Sequence, residues 1–179
     1  MKLKFLNRKR KGFTLVEILL VTGFISVASI SIYAVFKASS TTSKAKEEMW
    51  LLEEFSNKIK ANYGVVSNYA GVTPAVVIAN NYAPEKYVSG GALVNTFGGG
   101  MNLSAATIGG GTPNNAFVIT SWNVPRDVCP KLVSMASQHF NMVRINGMII
   151  KDINTVQINP ANMAAWCANV NNTLDFFSL

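Results

Sequence analysis

Few side chains of this 179-residue sequence have the types and spacing that chemistry requires. His139 is the only histidine, so a nucleophile activated by an imidazole base would have to use it. It stands beside Phe140 at the end of a predicted helix, where a surface or stabilising histidine is the usual interpretation. Asp127, Asp152 and Asp175 are dispersed, which gives neither paired carboxylates nor a calcium or zinc cluster. We therefore expect a protein that is not an enzyme and needs no cofactor or metal.

Glu17 is the most unusual titratable residue, because it lies inside an apolar segment. Residues 13–36 read FTLVEILLVTGFISVASISIYAVF, and Glu17 is their only charge. As a helix this run measures about 36 Å, long enough to span a bilayer. A carboxylate near the centre of a membrane helix costs about 2.5–3.5 kcal/mol. Glu17 is therefore a functional candidate that needs a partner.

The positive charge of the chain is concentrated before this segment. The formal net charge is +7, and six lysines and arginines precede residue 13, so the remainder carries only +1. A basic end followed by an apolar helix stays on the cytoplasmic side of a membrane. Because no basic stripe occurs in the rest of the chain, we do not expect nucleic acid as a direct ligand.

Cys129 and Cys167 both follow the apolar segment, on the side that the charge rule sends outward. Two cysteines in an exported domain are interpreted as one disulfide. The bond would close a loop of 37 residues. Such a closure contributes about 3–4 kcal/mol in the chain-entropy model. Two buried free thiols are the alternative.

The helical pattern continues beyond the apolar segment to about Gly64. Apolar side chains recur there at spacings of three and four, which places them on one face of the helix: Met49, Leu52, Phe55, Ile59 and Tyr63. Glu54 and Lys58 form a favourable i,i+4 pair on the same helix. We therefore predict one helix of about fifty residues, apolar at its start and amphipathic at its end.

Residues 65–115 are rich in glycine, asparagine, alanine and proline. A phosphate-binding loop would need a lysine and a Ser/Thr before a helix, or G-x-G-x-x-G after a strand, and neither pattern is present. The glycines are interpreted as turn residues.

The last third of the chain shows strand and hairpin patterns. We predict strands over 116–124, 154–158 and 172–179, and a hairpin at Asn146-Gly147. Two helices are predicted, one over 127–140 with Asp127 as its cap, and a short one that opens at Pro160. A long helix followed mostly by antiparallel strands indicates an α+β fold, with the long N-terminal helix packed on an antiparallel sheet.

Residues 11–17, KGFTLVE, together with the apolar run, resemble the class III signal of type IV pilins and their relatives. Later segments resemble type IVb pilins, including those of conjugative and enteric-adherence pili: NTFGGGMNL, VPRDVC, NGM and AAWCANVNNTLDF. The short leader and the phenylalanine after the cut are more typical of type IVa. The two C-terminal cysteines also match the pilin architecture.

The resemblance implies a maturation step and a use for Glu17. A prepilin peptidase would cut between Gly12 and Phe13 and methylate the new N-terminus of Phe13. An α-amino group has a pKa of about 7.7–8.0, so it is cationic at neutral pH, and methylation keeps it basic. Glu17 lies four residues further, one helical turn away, and would pair with its own terminus or with that of a neighbouring subunit. We predict that Glu17 directs assembly.

The resemblance divides the chain into a cleaved leader (1–12), a transmembrane and fibre-core helix (13–36), an amphipathic helix that continues into the head (37–64) and a globular head (65–179). It implies a homo-oligomeric helical fibre, an inner-membrane assembly machinery, and a Gram-negative cell. The precursor would lie in the inner membrane and the product in an extracellular pilus. It leaves adhesion, conjugation and motility open.

Three other functions fit parts of the same sequence. A minor pilin or a type II secretion pseudopilin would share the signal, although the dispersed acids argue against the calcium site of the major pseudopilin. An ordinary secretory signal peptide could be cleaved after Ser26-Val27-Ala28. However, Glu17 would then interrupt the apolar core of the signal peptide, and the apolar run continues beyond the cleavage site. A signal-anchored periplasmic enzyme would have to depend on His139.

Overall fold

A single helix, α1, extends over 49 residues from Leu15 to Tyr63. The structure is a computed structural model and describes residues 13–154 and 158–179. The chain forms two compact units, Met1–Ser39 and Ser40–Leu179, and α1 begins in the first and ends in the second. The predicted helix of about fifty residues is confirmed.

The second half of α1 packs on the core of the second unit through the predicted stripe. Met49, Leu52, Phe55 and Ile59 are buried, and Tyr63 packs against the same cluster. On the same helix, Lys58 Nζ lies 2.7 Å from Glu54 Oε1, which is the predicted i,i+4 pair. The apolar stripe therefore fixes the face that α1 presents to the sheet.

In its described part, the second unit contains one small helix before its main sheet and two after the sheet has begun. Their bounds, with the strands in chain order, are α2 (Pro74–Ala79), β1 (Val88–Ser89), β2 (Ala92–Leu93), β3 (Met101–Ala106), β4 (Ala116–Pro125), α3 (Cys129–His139), β5 (Met142–Ile145), β6 (Met148–Lys151), α4 (Pro160–Trp166) and β7 (Asn171–Ser178). Short 3₁₀ turns occupy Gly64–Val66 and Glu85–Tyr87.

Five strands form an antiparallel sheet in the order β3-β4-β7-β5-β6. The last strand of the chain, β7, therefore lies at the centre of the sheet. Alternate residues of each strand face the core, for example Phe117 and Ile119 of β4 and Leu174 and Phe176 of β7, all of them fully buried. The predicted α+β fold, with a long helix packed on an antiparallel sheet, is confirmed.

Most predicted elements of the last third are present. The hairpin between β5 and β6 turns at Asn146 (φ 50°) and Gly147 (φ 83°), the pair of left-handed residues that a type I′ turn requires. The cap of α3 was wrongly predicted: the helix begins at Cys129, after Val128, and no side chain caps it. Asp127 lies one residue too early to reach the free N–H groups of the first turn. Residues 155–157, within the strand predicted over 154–158, lie outside the described part of the chain.

The glycine-rich region contains regular structure that the sequence pattern did not indicate. Strand β3 and helix α2 both lie within 65–115. Glycines still form the turns, with positive φ at Gly90, Gly91, Gly98 and Gly109 among others.

A disulfide joins Cys129 to Cys167, with 5.8 Å between their Cα atoms. Both cysteines are buried, and the bond links the first residue of α3 to the residue that follows α4. No residue of α4 is itself buried. The disulfide therefore anchors a helix that contributes little to the core.

Candidate functional site

The start of α1 is closed by a reciprocal set of hydrogen bonds between Thr14 and Glu17. The Thr14 backbone N–H donates to Glu17 Oε2 (3.0 Å), and the Thr14 hydroxyl donates to the same oxygen (3.1 Å). In return, the Glu17 backbone N–H donates to Thr14 Oγ1 (3.2 Å). This is a capping box, in which Thr14 is the N-cap and Glu17 the third helical residue.

The capping box gives Glu17 a partner within its own chain. Sequence reasoning had considered only the amino group of Phe13 as that partner, although the pattern T-x-x-E ahead of an apolar run is a recognised helix-start signal. Phe13 is described and 83% exposed, whereas Gly12, the other predicted cleavage residue, lies outside the described part.

The helix that follows presents apolar side chains on every side. None of the described residues from 13 to 39 is buried, and the large apolar residues are exposed by half or more, as Phe24 and Phe36 illustrate. A helix that is apolar all round normally lies in a membrane or in the core of an assembly. Within the described chain, α1 is the one helix long and apolar enough to cross a bilayer.

The serine and threonine hydroxyl groups of this segment are satisfied inside the helix. Thr22, Ser26, Ser29 and Ser31 donate to the carbonyl oxygens four residues earlier, at 2.7–3.0 Å. In an apolar medium an unpaired hydroxyl would cost free energy, so these bonds suit a helix surrounded by lipid or by other helices. Glu17 remains the single charged group of the segment.

Two adjacent glutamates of α1 hold the segment that connects α1 to the sheet. Glu47 Oε1 accepts hydrogen bonds from Lys86 Nζ and from Tyr87 Oη, both at 2.9 Å. The bond from Lys86 lowers the pKa of Glu47, with Tyr87 acting in the same direction. Glu48, the next residue, is fully buried.

His139 has a structural environment. Its Nδ1 lies 3.1 Å from Glu53 Oε1, and both side chains are partly exposed. Among the described residues, no three His, Cys, Asp or Glu side chains gather in a group that could hold a metal ion. The stabilising interpretation of His139 agrees with this contact.

A comparison with protein-family models matches residues 39–179 to the family described as PilS N terminal. The chain belongs to the PilS family. This match covers the end of α1 and the whole sheet-bearing unit of the PilS-family chain.

Solved structures that share the fold include the following two. One is TcpA, a type IV pilin from the El Tor biotype of Vibrio cholerae, with 19% identity, coverage of 76% of this chain and 99% of that chain, and a TM-score of 0.56. The other is a type IV b pilin from Salmonella typhi, with 24% identity, coverage of 75% and 96%, and the same TM-score of 0.56. No curated protein matched. The PilS-family chain thus has the fold of a type IV pilin, and the resemblance to type IVb pilins noted in its sequence is confirmed.

Proposed function

We propose that this PilS-family chain is the structural subunit of a type IV pilus. Its precursor lies in the inner membrane, is cleaved between Gly12 and Phe13 and methylated at Phe13 by a prepilin peptidase, and polymerises through residues 13–36 into a surface fibre. The observation that carries this proposal is the exposed start of α1, apolar apart from Glu17 and a few hydroxyl groups and continuous in sequence with a head of the pilin fold. Its role is structural rather than catalytic.

The apolar segment needs two successive environments in this proposal. Its exposed side chains are stable in lipid before assembly, and burial of the same side chains against other copies stabilises the fibre afterwards. Each large side chain that leaves water contributes about 1.5–3 kcal/mol, which makes either environment preferable to water. The hydroxyls are already paired within the helix and do not oppose the transfer.

Cleavage would create a new partner for Glu17. The free amino group of Phe13 lies one helical turn from Glu17, in a medium where an unpaired carboxylate is costly. Glu17 can exchange its bonds to Thr14 for the amino group of its own chain or of a neighbouring subunit. Pairing between subunits would select one register of the helices, a specificity role of the kind that buried polar groups have in some assemblies.

The first test is the mass and the N-terminal sequence of the protein in sheared surface material from cells that express it. We expect an abundant chain that begins at methylated Phe13 and contains one disulfide. The same terminus found only in trace amounts, or only in membranes, would indicate a minor pilin or a pseudopilin instead. A soluble periplasmic chain that begins near residue 29 would contradict the fibre.

A further inference from the structure

The carboxyl group of Glu48 is enclosed by the loop formed by residues 95–99 and by strand β4. Glu48 is 0% exposed. Its Oε2 accepts hydrogen bonds from the Thr96 backbone N–H (3.0 Å) and the Thr96 hydroxyl (2.9 Å), and its Oε1 accepts one from the Ser121 hydroxyl (2.9 Å). Three donors on one buried carboxyl group join helix, loop and sheet at a single point.

Loop 95–99 is held together by the side chain of Asn95. Asn95 Oδ1 accepts from the backbone N–H groups of Phe97 (3.0 Å) and Gly99 (2.7 Å), and the Asn95 N–H donates to the Gly99 carbonyl (2.8 Å). Asn95 Nδ2 also donates to Ser121 Oγ (2.9 Å). The loop is thus one hydrogen-bonded body, attached to the rest of the head through Glu48, Ser121 and the Trp122 carbonyl oxygen, which also accepts from Asn95 Nδ2 (2.5 Å).

Among the described residues, no cation acts on Glu48 to balance a negative charge. Loop 95–99 (NTFGG) and β4 (AFVITSWNVP) contain no charged residue. On α1, the charged residue that acts on Glu48 is Glu47, which is also negative. Glu47 is itself paired with Lys86. Burying an ionised carboxylate without a counter-ion is costly even when hydrogen bonds are present. Burial accordingly raises the pKa of Glu48, outweighing the hydrogen bonds from Thr96 and Ser121.

The protonated group fits the same surroundings. A neutral carboxyl group donates one hydrogen bond, and the hydroxyls of Thr96 and Ser121 can rotate to accept it, since a hydroxyl both donates and accepts. The Thr96 backbone N–H keeps its acceptor in either state. Protonation therefore removes the charge and leaves the contacts in place.

We propose that Glu48 is a pH-sensitive latch that keeps loop 95–99 closed on α1 and β4 when it is protonated and loosens the loop when it is ionised. In the open state water hydrates the carboxylate, whose pKa then returns towards its ordinary value of 4.5. The pKa of Glu48 is higher in the closed state than in the open state. The closed state is therefore most stable below pH 4.5, and it becomes less stable as pH rises towards the closed-state pKa. Above that value both states are ionised and the equilibrium is constant again.

Amide hydrogen exchange of the full chain in detergent micelles tests the latch. The amide of Thr96, which donates to Glu48, reports opening of the loop, once the intrinsic pH dependence of exchange is removed. We expect its protection to fall as pH rises above 4.5, by up to about tenfold per pH unit. Glu48→Gln, which cannot ionise, should show protection that is independent of pH. Glu47→Gln, the adjacent control, should retain the dependence of the wild type.

Two results would overturn the latch. One is protection of the Thr96 amide that does not vary with pH in the wild type, and the other is a pH dependence that survives Glu48→Gln. Should Glu48→Gln fail to fold, a carbon-13 titration of the Glu48 carboxyl in the wild-type chain decides. A midpoint above the ordinary value supports the proposal, and a midpoint at or below it contradicts the proposal.

Discussion

Glu17 and Glu48 are two glutamates of the same helix that differ in what surrounds them. Glu17 is exposed at the helix start and accepts hydrogen bonds from the Thr14 residue of its own chain. Glu48 is enclosed by a neutral loop and strand, and burial raises its pKa. The apolar context of Glu17 can be read in the sequence. The burial of Glu48 depends on contacts with residues 48 and 73 positions away, which no local pattern records.

The capping box permits a separation of two roles for Glu17. Glu17→Gln keeps an oxygen that can accept from Thr14, because glutamine also forms capping boxes, but it removes the charge. If the charge pairs with the methylated Phe13 amine in the fibre, fibre yield should fall at least about tenfold, since breaking a buried ion pair is strongly destabilising. The yield is measured as sheared protein relative to membrane-bound protein.

Two matched variants complete this test. Thr14→Ala loses the cap and keeps the charge, so it should assemble nearly as well as the wild type. Glu85→Ala removes an exposed glutamate of the head and should have no effect. Normal fibres from Glu17→Gln, with none from Thr14→Ala, would mean that Glu17 acts only on the helix start.

Among the elements, those with local signals were predictable and those formed by distant pairing were not. The β5–β6 hairpin follows from Asn146-Gly147, and α1 follows from its periodicity. Strand β3 (MNLSAA) has few β-branched or aromatic residues, and it is a strand because Met101–Ala106 pairs with Ala116–Ser121 of β4. The sequence of β3 therefore gives a weak strand signal, whereas the sequence of its partner β4 gives a strong one.

Helix α4 is the element for which the disulfide matters most. It has no buried residue, and Cys167 directly after it is buried and bonded to Cys129. Replacing both cysteines with serine should lower the free energy of unfolding by about 3–4 kcal/mol, as expected for opening a loop of this length. Urea unfolding of the full chain in micelles measures this loss.

The same variant should show where the loss is concentrated. The amide of Cys167 donates to the Met163 carbonyl (3.0 Å), so exchange at position 167 reports the end of α4. We expect its protection to fall more than that of the β7 amides at the centre of the sheet. A stability change below about 1 kcal/mol would show that α4 is held mainly by Met163 and Trp166, which pack against the core.

For the whole molecule, buried contacts are distributed unevenly along the chain. The first buried residue among those described is Ala45, and every later helix and strand contributes to, or packs on, the core, α4 only through partly buried side chains. From the apolar run, the basic start and the α+β pattern, the sequence predicts a fibre-core helix over 13–36, an amphipathic helix over 37–64 and a head over 65–179. The boundary itself, at Ser39–Ser40, depends on which turns of α1 contact the sheet unit, and composition does not specify it.

A pair of truncated chains tests where the folded unit begins. A chain that starts at Ser40 loses none of the buried residues that the structure describes, and it keeps the bonds from Lys131 to Thr41 (2.6 Å) and Thr42 (2.9 Å). We expect it to be soluble without detergent and to unfold in one cooperative transition.

A chain that starts at Trp50 is the matched comparison, because it also lacks Ala45, Glu48 and Met49, all of which are buried. Deleting large buried side chains costs about 2–5 kcal/mol each, and the loss of Glu48 also leaves the Thr96 N–H without its acceptor. Thermal unfolding followed by circular dichroism should therefore place its midpoint at least about 10 °C lower, given the several degrees that each kcal/mol represents for a domain of this size. Equal midpoints for the two chains would mean that residues 40–49 do not belong to the folded head, and that the Glu48 contacts add nothing to its stability.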